Sequence, residues 1–300
     1  MLAIIIPYFK LVFFEETLKS LSNQTGKRFK VYIGNDASPE NPSLILLKYE
    51  GKFNFVYKEF EDNLGSTSLI NHWERCVSMS QNEEWIMILG DDDVLEPNFV
   101  EEFYINLEEV NTSQCNVVRY ATKLIDDDDK VLSQIYQHPK YEKATDFFCR
   151  KFSGKTRSSL SEYIFKKDVF VKYKFTNYPL AWHSDDMALL EFSENKFIFT
   201  INESVVKIRF SDKSLSGSSL NITEKRLAAS FFYLDIVKGK LNLFNKKERL
   251  FLLYKLEDSI KKSRKLDLKE WFLLSKKYLR NFSLISFLKF FRRFVISFIQ

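Results

Sequence analysis

The sequence predicts an α/β protein with a mainly parallel sheet flanked by helices, followed by a basic, amphipathic helical region. Over residues 1–120, short apolar runs rich in β-branched residues alternate with segments of helical periodicity. The intervals between these runs fit single helical crossovers, which join parallel strands. Towards the end of the chain the pattern becomes helical and strongly basic.

The local sequence accounts for each predicted strand and helix. Residues 2–6 form an uninterrupted apolar run, typical of a strand buried on both faces. Pro42 and Pro97 each open a helix, because proline suits the first helical turn. The predicted elements are, in chain order, strand 2–6, helix 13–21, strand 29–33, helix 42–49, strand 53–57, helix 66–80, strand 85–89, helix 97–110 and strand 116–121. Residues 122–180 are less regular, 198–210 alternate like a strand, and the chain is helical from 224 onward.

Composition excludes several classes of protein. The chain has 300 residues, 45% hydrophobic and 28% charged, which excludes a disordered or collagen-like protein. Its three cysteines have neither a zinc spacing nor an even count, so we expect a reducing compartment. The first apolar run is too short for a signal peptide, and no run is long enough to predict a transmembrane helix.

Charge is unevenly distributed. Residues 240–300 contain 16 Lys and Arg against 5 Asp and Glu, a net charge of +11. Because the whole chain carries +5, residues 1–239 carry −6. We therefore expect the acidic body and the basic tail to meet different partners. We predict one domain at 1–218 and a basic helical region at 219–300.

Acidic residues follow three of the predicted strands. Asp36 follows the second, Asp62 the third, and residues 90–93 (Gly-Asp-Asp-Asp) the fourth. Ligands bind at the carboxyl ends of parallel strands, so this edge is the expected site. Clustered carboxylates repel one another unless a cation joins them. Without nearby His or Cys ligands, they suit Mg²⁺ or Mn²⁺ shared with substrate phosphates.

Two common nucleotide-binding motifs are absent from the sequence. There is no Gly-x-x-x-x-Gly-Lys-Ser/Thr loop, which argues against a P-loop kinase or ATPase. There is no Gly-x-Gly-x-x-Gly after the first strand, so a dinucleotide-dependent redox enzyme lacks its fingerprint.

Four segments in order, IIIPYFK, IGNDAS, NLGSTSLIN and WIMILGDDDVLEP, resemble glycosyltransferase family 2. The resemblance covers roughly residues 2–110 and, more loosely, 180–216. It implies a glycosyltransferase-A type fold that binds a nucleotide sugar. It further implies that Pro7 and Tyr8 line the base pocket and that Asp36 accepts a hydrogen bond from uracil.

The next family positions are Asn63 and Gly65, an Asn-x-Gly turn, and Asn71, near the nucleotide. Each also has a plainer interpretation. Asp36 is placed where a turn or helix cap would be. Gly65 would serve the turn by a positive φ, and Asn71 would face solvent.

The resemblance places the metal at Asp92 first and Asp93 second, with Asp91 at the ribose. Gly90 stands where the family has its first Asp. The alternative is an exposed acidic turn before the helix at Pro97. We interpret the longer acidic run at 126–129 as a solvated hairpin turn, because lysines flank it.

The expected general base is Asp186, with Asp185 as the alternative. They match the family's Glu-Asp pair at a helix start. A base opposite the leaving group would take the acceptor proton and invert the configuration. Helix capping is the plainer interpretation of both acids. Arg209 matches an Arg that the family has at the end of a strand. We expect its guanidinium to contact either a phosphate of the donor or an acidic side chain at the surface. The family's following His is Ser211 here, so water, phosphate oxygens or Asp212 would complete the metal sphere.

The segment 282–300 is amphipathic, with three cations and no anion. We expect it to lie on an anionic membrane surface, and docking on protein is the alternative. The chain lacks motifs that read or stack on nucleic acid, so we expect no such partner. Homo-oligomerisation stays open.

The expected function is metal-dependent, inverting transfer of a sugar from a nucleotide sugar, with a UDP-sugar favoured. The acceptor would be a cell-surface glycan or lipid-linked oligosaccharide, at the cytoplasmic face of the cell membrane. A catalytically silent nucleotide- or sugar-binding module is the alternative. A nucleotidyltransferase is disfavoured, because no Gly/Lys/Arg-rich loop follows the first strand.

Overall fold

The structure, a computed structural model, describes residues 1–215, 217 and 220–297. A nine-stranded sheet has the order β3-β2-β1-β4-β8-β6-β9-β5, with β7 paired to β9. The strands are β1 (Leu2–Tyr8), β2 (Phe29–Asn35), β3 (Phe55–Glu59), β4 (Trp85–Ile88), β5 (Val94–Leu95), β6 (Val117–Ile125), β7 (Tyr141–Lys143), β8 (Tyr163–Lys166) and β9 (Phe197–Arg209).

The helices include every one that the periodicity predicts. They are α1 (Phe14–Ser22), α2 (Ser43–Leu47), α3 (Leu69–Val77), α4 (Phe99–Thr112), α5 (Ala144–Phe152), α6 (Lys167–Tyr173), α7 (Ser184–Phe192), α8 (Ile222–Asp235), α9 (Lys246–Lys261), α10 (Leu268–Arg280) and α11 (Leu284–Ile296). Short 3₁₀ turns lie at Leu64–Ser66, Leu160–Glu162, Pro179–Ala181 and Leu241–Leu243, and a π-helical turn lies at Ile236–Lys240.

The α/β class is confirmed, and the sheet has two halves. Strands β3, β2, β1 and β4 are parallel to one another. Beyond β4, β8 runs antiparallel to both of its neighbours, so the rest of the sheet is mixed. Strands β5, β7 and β8 have four residues or fewer, too few for a period to show in the sequence.

The strands at the centre of the sheet are buried. In β1, Leu2, Ile4 and Ile6 are fully buried in the main core, as the continuous apolar run predicts. Fully burying such a side chain stabilises the fold by about 1.5–3 kcal/mol. The pairing register aligns the ends of β1, β2 and β3, because Tyr8 lies opposite Asn35 and Asn35 lies opposite Glu59. The residues that follow β1, β2 and β3 therefore emerge at the same edge.

The chain divides into two compact units. The first comprises Met1–Asn177 and Ser184–Leu220, and the second comprises Tyr178–His183 and Asn221–Gln300. The boundary expected at 218/219 falls on residues outside those described. None of the helices in the described part of the chain is long and apolar enough to span a bilayer.

In the second unit, helices α10 and α11 pack through aromatic rings. Phe290 is buried and stacks on Tyr278 with ring centroids 4.5 Å apart. Arg293 donates to Glu257 of α9 at 2.8 Å. One face of α11 is therefore occupied within this unit.

Candidate active site

Asp36, one residue beyond β2, holds the turn that follows β3. Its Oδ1 accepts a hydrogen bond from the Leu64 amide at 2.9 Å, and its Oδ2 accepts one from the Gly65 amide at 2.8 Å. The Arg75 guanidinium on α3 pairs with the same carboxylate, which is almost fully buried. Three donors from the fold therefore hold the Asp36 carboxylate in place.

Arg75 is the anchor of this cluster. Besides Asp36, it donates to Asp62 Oδ1 at 2.7 Å and to His72 Nδ1 at 3.0 Å, and its guanidinium lies 4.0 Å from the Phe60 ring centroid. The sequence analysis missed Arg75, because a single arginine on an amphipathic helix carries no signal of its own.

Gly65 corrects one expectation. The positive φ expected there is wrong, since Gly51 and Gly154 are the described glycines that have one. The glycine serves a close approach instead. A Cβ at Gly65 would lie 2.4 Å from Asp36 Oδ2, so a side chain would displace the carboxylate.

The other residues expected around the nucleotide base have these places. Asn63 caps the short turn by accepting a hydrogen bond from the Ser66 amide at 2.9 Å. The Asn71 side chain is exposed on the first turn of α3. Pro7 is half-buried within β1, and the Tyr8 hydroxyl donates to the Glu40 carbonyl at 2.7 Å. Burial raises the pKa of the Tyr8 phenol, so it stays a donor at neutral pH.

The acidic turn after β4 is tied to the end of β1. Asp91 Oδ2 accepts hydrogen bonds from the Phe9 and Lys10 amides, both at 2.9 Å. Asp93 is buried, and its Oδ1 accepts from the Arg209 amide at 2.9 Å. Asp92 lies between them, half-buried. This turn is therefore a fixed part of the sheet edge.

The carboxylates of this turn are poorly neutralised. Burial raises the pKa of Asp92 well above its ordinary range, and the charges of Asp93 and Asp91 raise it further. Burial also raises the pKa values of Asp91 and Asp93, although amide donors oppose the shift. Such a group favours binding of a positive charge.

Gly90 shapes the same turn. A Cβ there would lie 2.8 Å from Asp92 Oδ1 and 3.0 Å from Asp93 Oδ2, so these two oxygens converge on the space that glycine leaves. The Gly90 amide donates to Ser161 Oγ at 3.0 Å. Two converging, unneutralised carboxylate oxygens fit a hard divalent cation. Within 1–215, 217 and 220–297, no three His, Cys, Asp or Glu side chains form a complete metal site.

Arg209 is enclosed by protein. Its guanidinium donates to the Asp126 carbonyl and to Asp129 Oδ1, both at 2.6 Å, and also pairs with Glu16. It therefore fastens the 126–129 hairpin turn, in which Asp129 has a φ of 60°. Ser211, at the position of the family's His, is buried, and its hydroxyl accepts from the Lys213 amide at 3.1 Å.

Asp185 and Asp186 lie in the first turn of α7. Asp186 is buried and pairs with Lys151 of α5, whereas Asp185 is half-buried. The preceding residues Ala181 and His183 have φ values of 53° and 71°, which non-glycine residues adopt at a cost. Strained backbone of this kind clusters at functional sites.

Sequence reasoning also missed Lys151 and Arg157. Arg157 is half-buried and its guanidinium donates to Thr122 Oγ1 at 3.4 Å, within electrostatic reach of Asp93. Both lie in the stretch 122–180, where no motif marked them.

Comparisons with known proteins agree with this architecture. The sequence profile described as glycosyl transferase family 2 matches residues 3–165, more than half of the chain. Among curated proteins there is no match. S. aureus TarS 1–349 in complex with UDP-GlcNAc has a TM-score of 0.63 at 14% identity, covering 93% of this chain and 80% of that one.

Two further structures are similar. The UDP complex of S. aureus TarS 1–349 has a TM-score of 0.59 at 14% identity, with the same coverages of 93% and 80%. GalNAc-T7 with UDP, GalNAc and Mn²⁺ has a TM-score of 0.54 at 10% identity, covering 87% of this chain and 56% of that one. These likenesses confirm the predicted glycosyltransferase-A type fold. The profile match confirms the resemblance found in the sequence, and the chain belongs to glycosyl transferase family 2.

Proposed function

We propose that this protein transfers a sugar from a UDP-sugar to a hydroxyl group of a cell-surface glycan or lipid-linked oligosaccharide, with inversion of configuration. The observation that carries the proposal is the sheet edge itself. There Asp36 is held by the turn after β3, and Asp91 is held by the end of β1. The UDP complexes of TarS, which share the fold, support the nucleotide.

The Asp36 cluster suits a uracil ring. A carboxylate offers about four acceptor sites, and the Leu64 amide, the Gly65 amide and Arg75 account for three. Uracil N3–H would take the remaining one. Asp91, at the neighbouring strand end, would accept from the ribose.

A divalent cation, Mn²⁺ or Mg²⁺, would be held by Asp92 and Asp93. When bound, it would stabilise the charge that develops on the departing diphosphate. With Ser211 in place of the family's His, we propose that the diphosphate and water supply the other oxygen ligands. Mn²⁺ is named with GalNAc-T7, a structure of the same fold.

Asp186 is the proposed general base. The acceptor oxygen bonds to the anomeric carbon as the carbon–oxygen bond to the diphosphate breaks, and the electron pair leaves with UDP. Asp186 takes the acceptor proton. Attack opposite the leaving group inverts the configuration.

Calorimetric titration with UDP, with and without Mn²⁺, tests the donor site. We expect metal-dependent binding that is lost in Asp92→Asn. Asp128→Asn is the matched control, since Asp128 is an exposed acid of the 126–129 turn. Absence of UDP binding under both conditions would contradict the donor assignment.

The chemical step needs a separate test. Asp186→Asn should reduce sugar transfer by about 10²- to 10⁴-fold, the usual contribution of a general base. Its UDP affinity should stay unchanged. Asp146→Asn, an exposed acid on the first turn of α5, is the control. UDP binding without transfer to any acceptor would favour a silent binding module, to which Gly90 and Ser211 also point.

The second unit supports a membrane partner. Helices α10 and α11, with Phe282 between them, expose large apolar side chains and five cations, which together we call the α10–α11 surface. The apolar members are Leu268, Phe272, Leu279, Phe282, Leu284, Ile285, Leu288, Phe291, Val295 and Ile296, and the cations are Lys269, Lys276, Arg280, Lys289 and Arg292. From 268 to 297 the one acid is Glu270, which is buried and paired with Arg264.

This composition complements an anionic bilayer at the inner face of the cell membrane. The surface extends the expected segment 282–300 to α10, while residues 298–300 lie outside those described. The purified protein should sediment with vesicles containing phosphatidylglycerol and not with phosphatidylcholine vesicles. Leu288→Glu should abolish sedimentation, whereas Leu47→Glu, at a leucine of α2 with nearly the same exposure (58% against 56%), should not. Self-association without vesicle binding would instead indicate a second copy.

A further inference from the structure

Lys151, near the end of α5, contacts the proposed base. Its Nζ donates to Asp186 Oδ1 and forms an ion pair with it. The Lys151 side chain is 17% exposed and the Asp186 side chain 3% exposed. The pair is therefore largely withdrawn from water, unlike the ion pairs at the surface of this chain.

The groups that face Lys151 are mostly anionic. They are Asp186 and Asp185 on α7 and Glu162 at the end of the Leu160–Glu162 turn, although burial raises the pKa of Glu162 to about 7. The Phe152 ring centroid lies 5.6 Å from Nζ. Burial lowers the pKa of the Lys151 ammonium, but these carboxylates raise it by more, so the net pKa is raised. Lys151 thus stays charged at neutral pH.

We propose that Lys151 is a positioning residue, which orients the Asp186 carboxylate and keeps it ionised for proton abstraction. The proposal rests on the function proposed above. A carboxylate that is buried alone tends to bind a proton, and a protonated acid cannot act as a base. An ammonium in direct contact opposes that tendency and fixes one carboxylate oxygen. Lys151 keeps its own protons throughout the reaction.

Two single variants test the role. Lys151→Met should lower kcat/KM by about 100-fold, a loss typical of a misplaced catalytic group. It should also move the acidic limb of the kcat/KM–pH profile to higher pH, because the Lys151 ammonium no longer opposes the effect of burial on Asp186. Metal-dependent UDP affinity should be unchanged. Lys151→Arg should return the acidic limb of the kcat/KM–pH profile to its wild-type position.

Lys172→Met is the matched control. Lys172 forms an ion pair with Glu194 at 2.6 Å, but its side chain is 60% exposed. Exposed pairs contribute little, so its activity and pH profile should match those of the wild type. A wild-type rate and profile in Lys151→Met would overturn the proposal.

A double-mutant cycle shows whether Lys151 acts through Asp186. Asp186→Asn and Asp186→Asn/Lys151→Met should have equal residual activity. A further loss in the double variant, as large as the loss that Lys151→Met causes in the wild type, would also overturn it. The double variant removes both members of the Lys151–Asp186 ion pair, so neither is left buried without the other, and it tests the proposal even if Lys151→Met does not fold.

The failures of the two proposals are distinguishable. Full activity in Asp186→Asn would refute the base assignment and, with it, the role of Lys151. Loss of activity in Asp186→Asn with a wild-type profile in Lys151→Met would refute the role of Lys151 alone.

Discussion

Two buried acidic sites lie at one edge of the sheet and are built in opposite ways. At Asp36, two backbone amides and the Arg75 guanidinium surround one carboxylate. In the 90–93 turn, three carboxylates follow one another, and their charges raise the pKa of Asp92 on top of burial. The chain neutralises the first site and leaves the second partly unneutralised.

This difference indicates that the fold preorganises the Asp36 site, whereas we expect the acidic turn to need a bound ligand. Withdrawing a charge from water costs several kcal/mol, which a well-placed opposite charge and hydrogen bonds offset. Asp36 has these partners within the fold, so its charge is compensated before any ligand binds. The acidic turn would gain its compensating charge from the proposed cation, so we expect this site to be the one that depends on the metal.

Of the changes at these two sites, Asp92→Asn should have the largest effect on sugar transfer. Transfer should fall by about 10²- to 10³-fold, the scale of losing one electrostatic contact to the leaving group. Removing a repelling charge should leave the metal-free fold at least as stable as the wild type. Thermal unfolding with and without Mn²⁺ and UDP measures both states. Stabilisation by Mn²⁺ and UDP that equals that of the wild type would show that the turn is not the metal site.

Asp36→Ala, in contrast, should greatly lower the free energy of unfolding before any ligand is added. It would leave Arg75 without its buried partner and free the Leu64 and Gly65 amides. Removing one member of a buried pair costs about 3–5 kcal/mol. Urea unfolding measures the loss, and Asp62→Ala, which removes a partner of Arg75 that is 69% exposed, is the control. Equal stability of the two variants would contradict the comparison.

The sequence predicts which residues lie at the edge of the sheet better than it predicts which side chains contact them. Apolar runs predict β1, β2 and β4, and the acids that follow β2 and β4 are therefore placed correctly at one edge of the sheet. The partners of Asp36 are 28 to 39 residues away in the chain and meet it only when α3 packs. Arg209 likewise meets Glu16 across 193 residues. Periodicity contains no information about such pairs.

A pH titration probes the Asp36 site through His72. Burial lowers the pKa of this histidine to about 4, although the Asp36 carboxylate raises it. An unfolded histidine binds its proton near pH 6.5, so between pH 6.5 and 4 the unfolded state binds more protons. His72 thus stabilises the fold above this window, and its contribution is lost as the pH falls through it. About 2 kcal/mol should be lost between pH 7 and pH 5.

His72→Asn should remove this loss, because asparagine does not titrate and its oxygen can still accept from Arg75. Urea unfolding of both proteins at pH 7 and pH 5 gives the difference. His138, whose pKa is lowered to about 2 by burial, is present in both proteins and cancels. The same pH dependence in both would show that His72 is not the titrating group.

Gly65→Ala should have the smallest effect and the most local one. The new methyl group would meet Asp36 Oδ2 at 2.4 Å, so the turn must move away from the carboxylate. We expect UDP affinity to fall about tenfold, which corresponds to about 1.4 kcal/mol. Mn²⁺ dependence should be retained, because the acidic turn is not touched. Gly51→Ala, at an open position with a φ of 75°, carries backbone strain without a clash and should leave UDP affinity unchanged. If Gly65→Ala instead abolished the Mn²⁺ dependence, the two sites would be coupled, and the distinction between a charge-compensated site and an uncompensated one would fail.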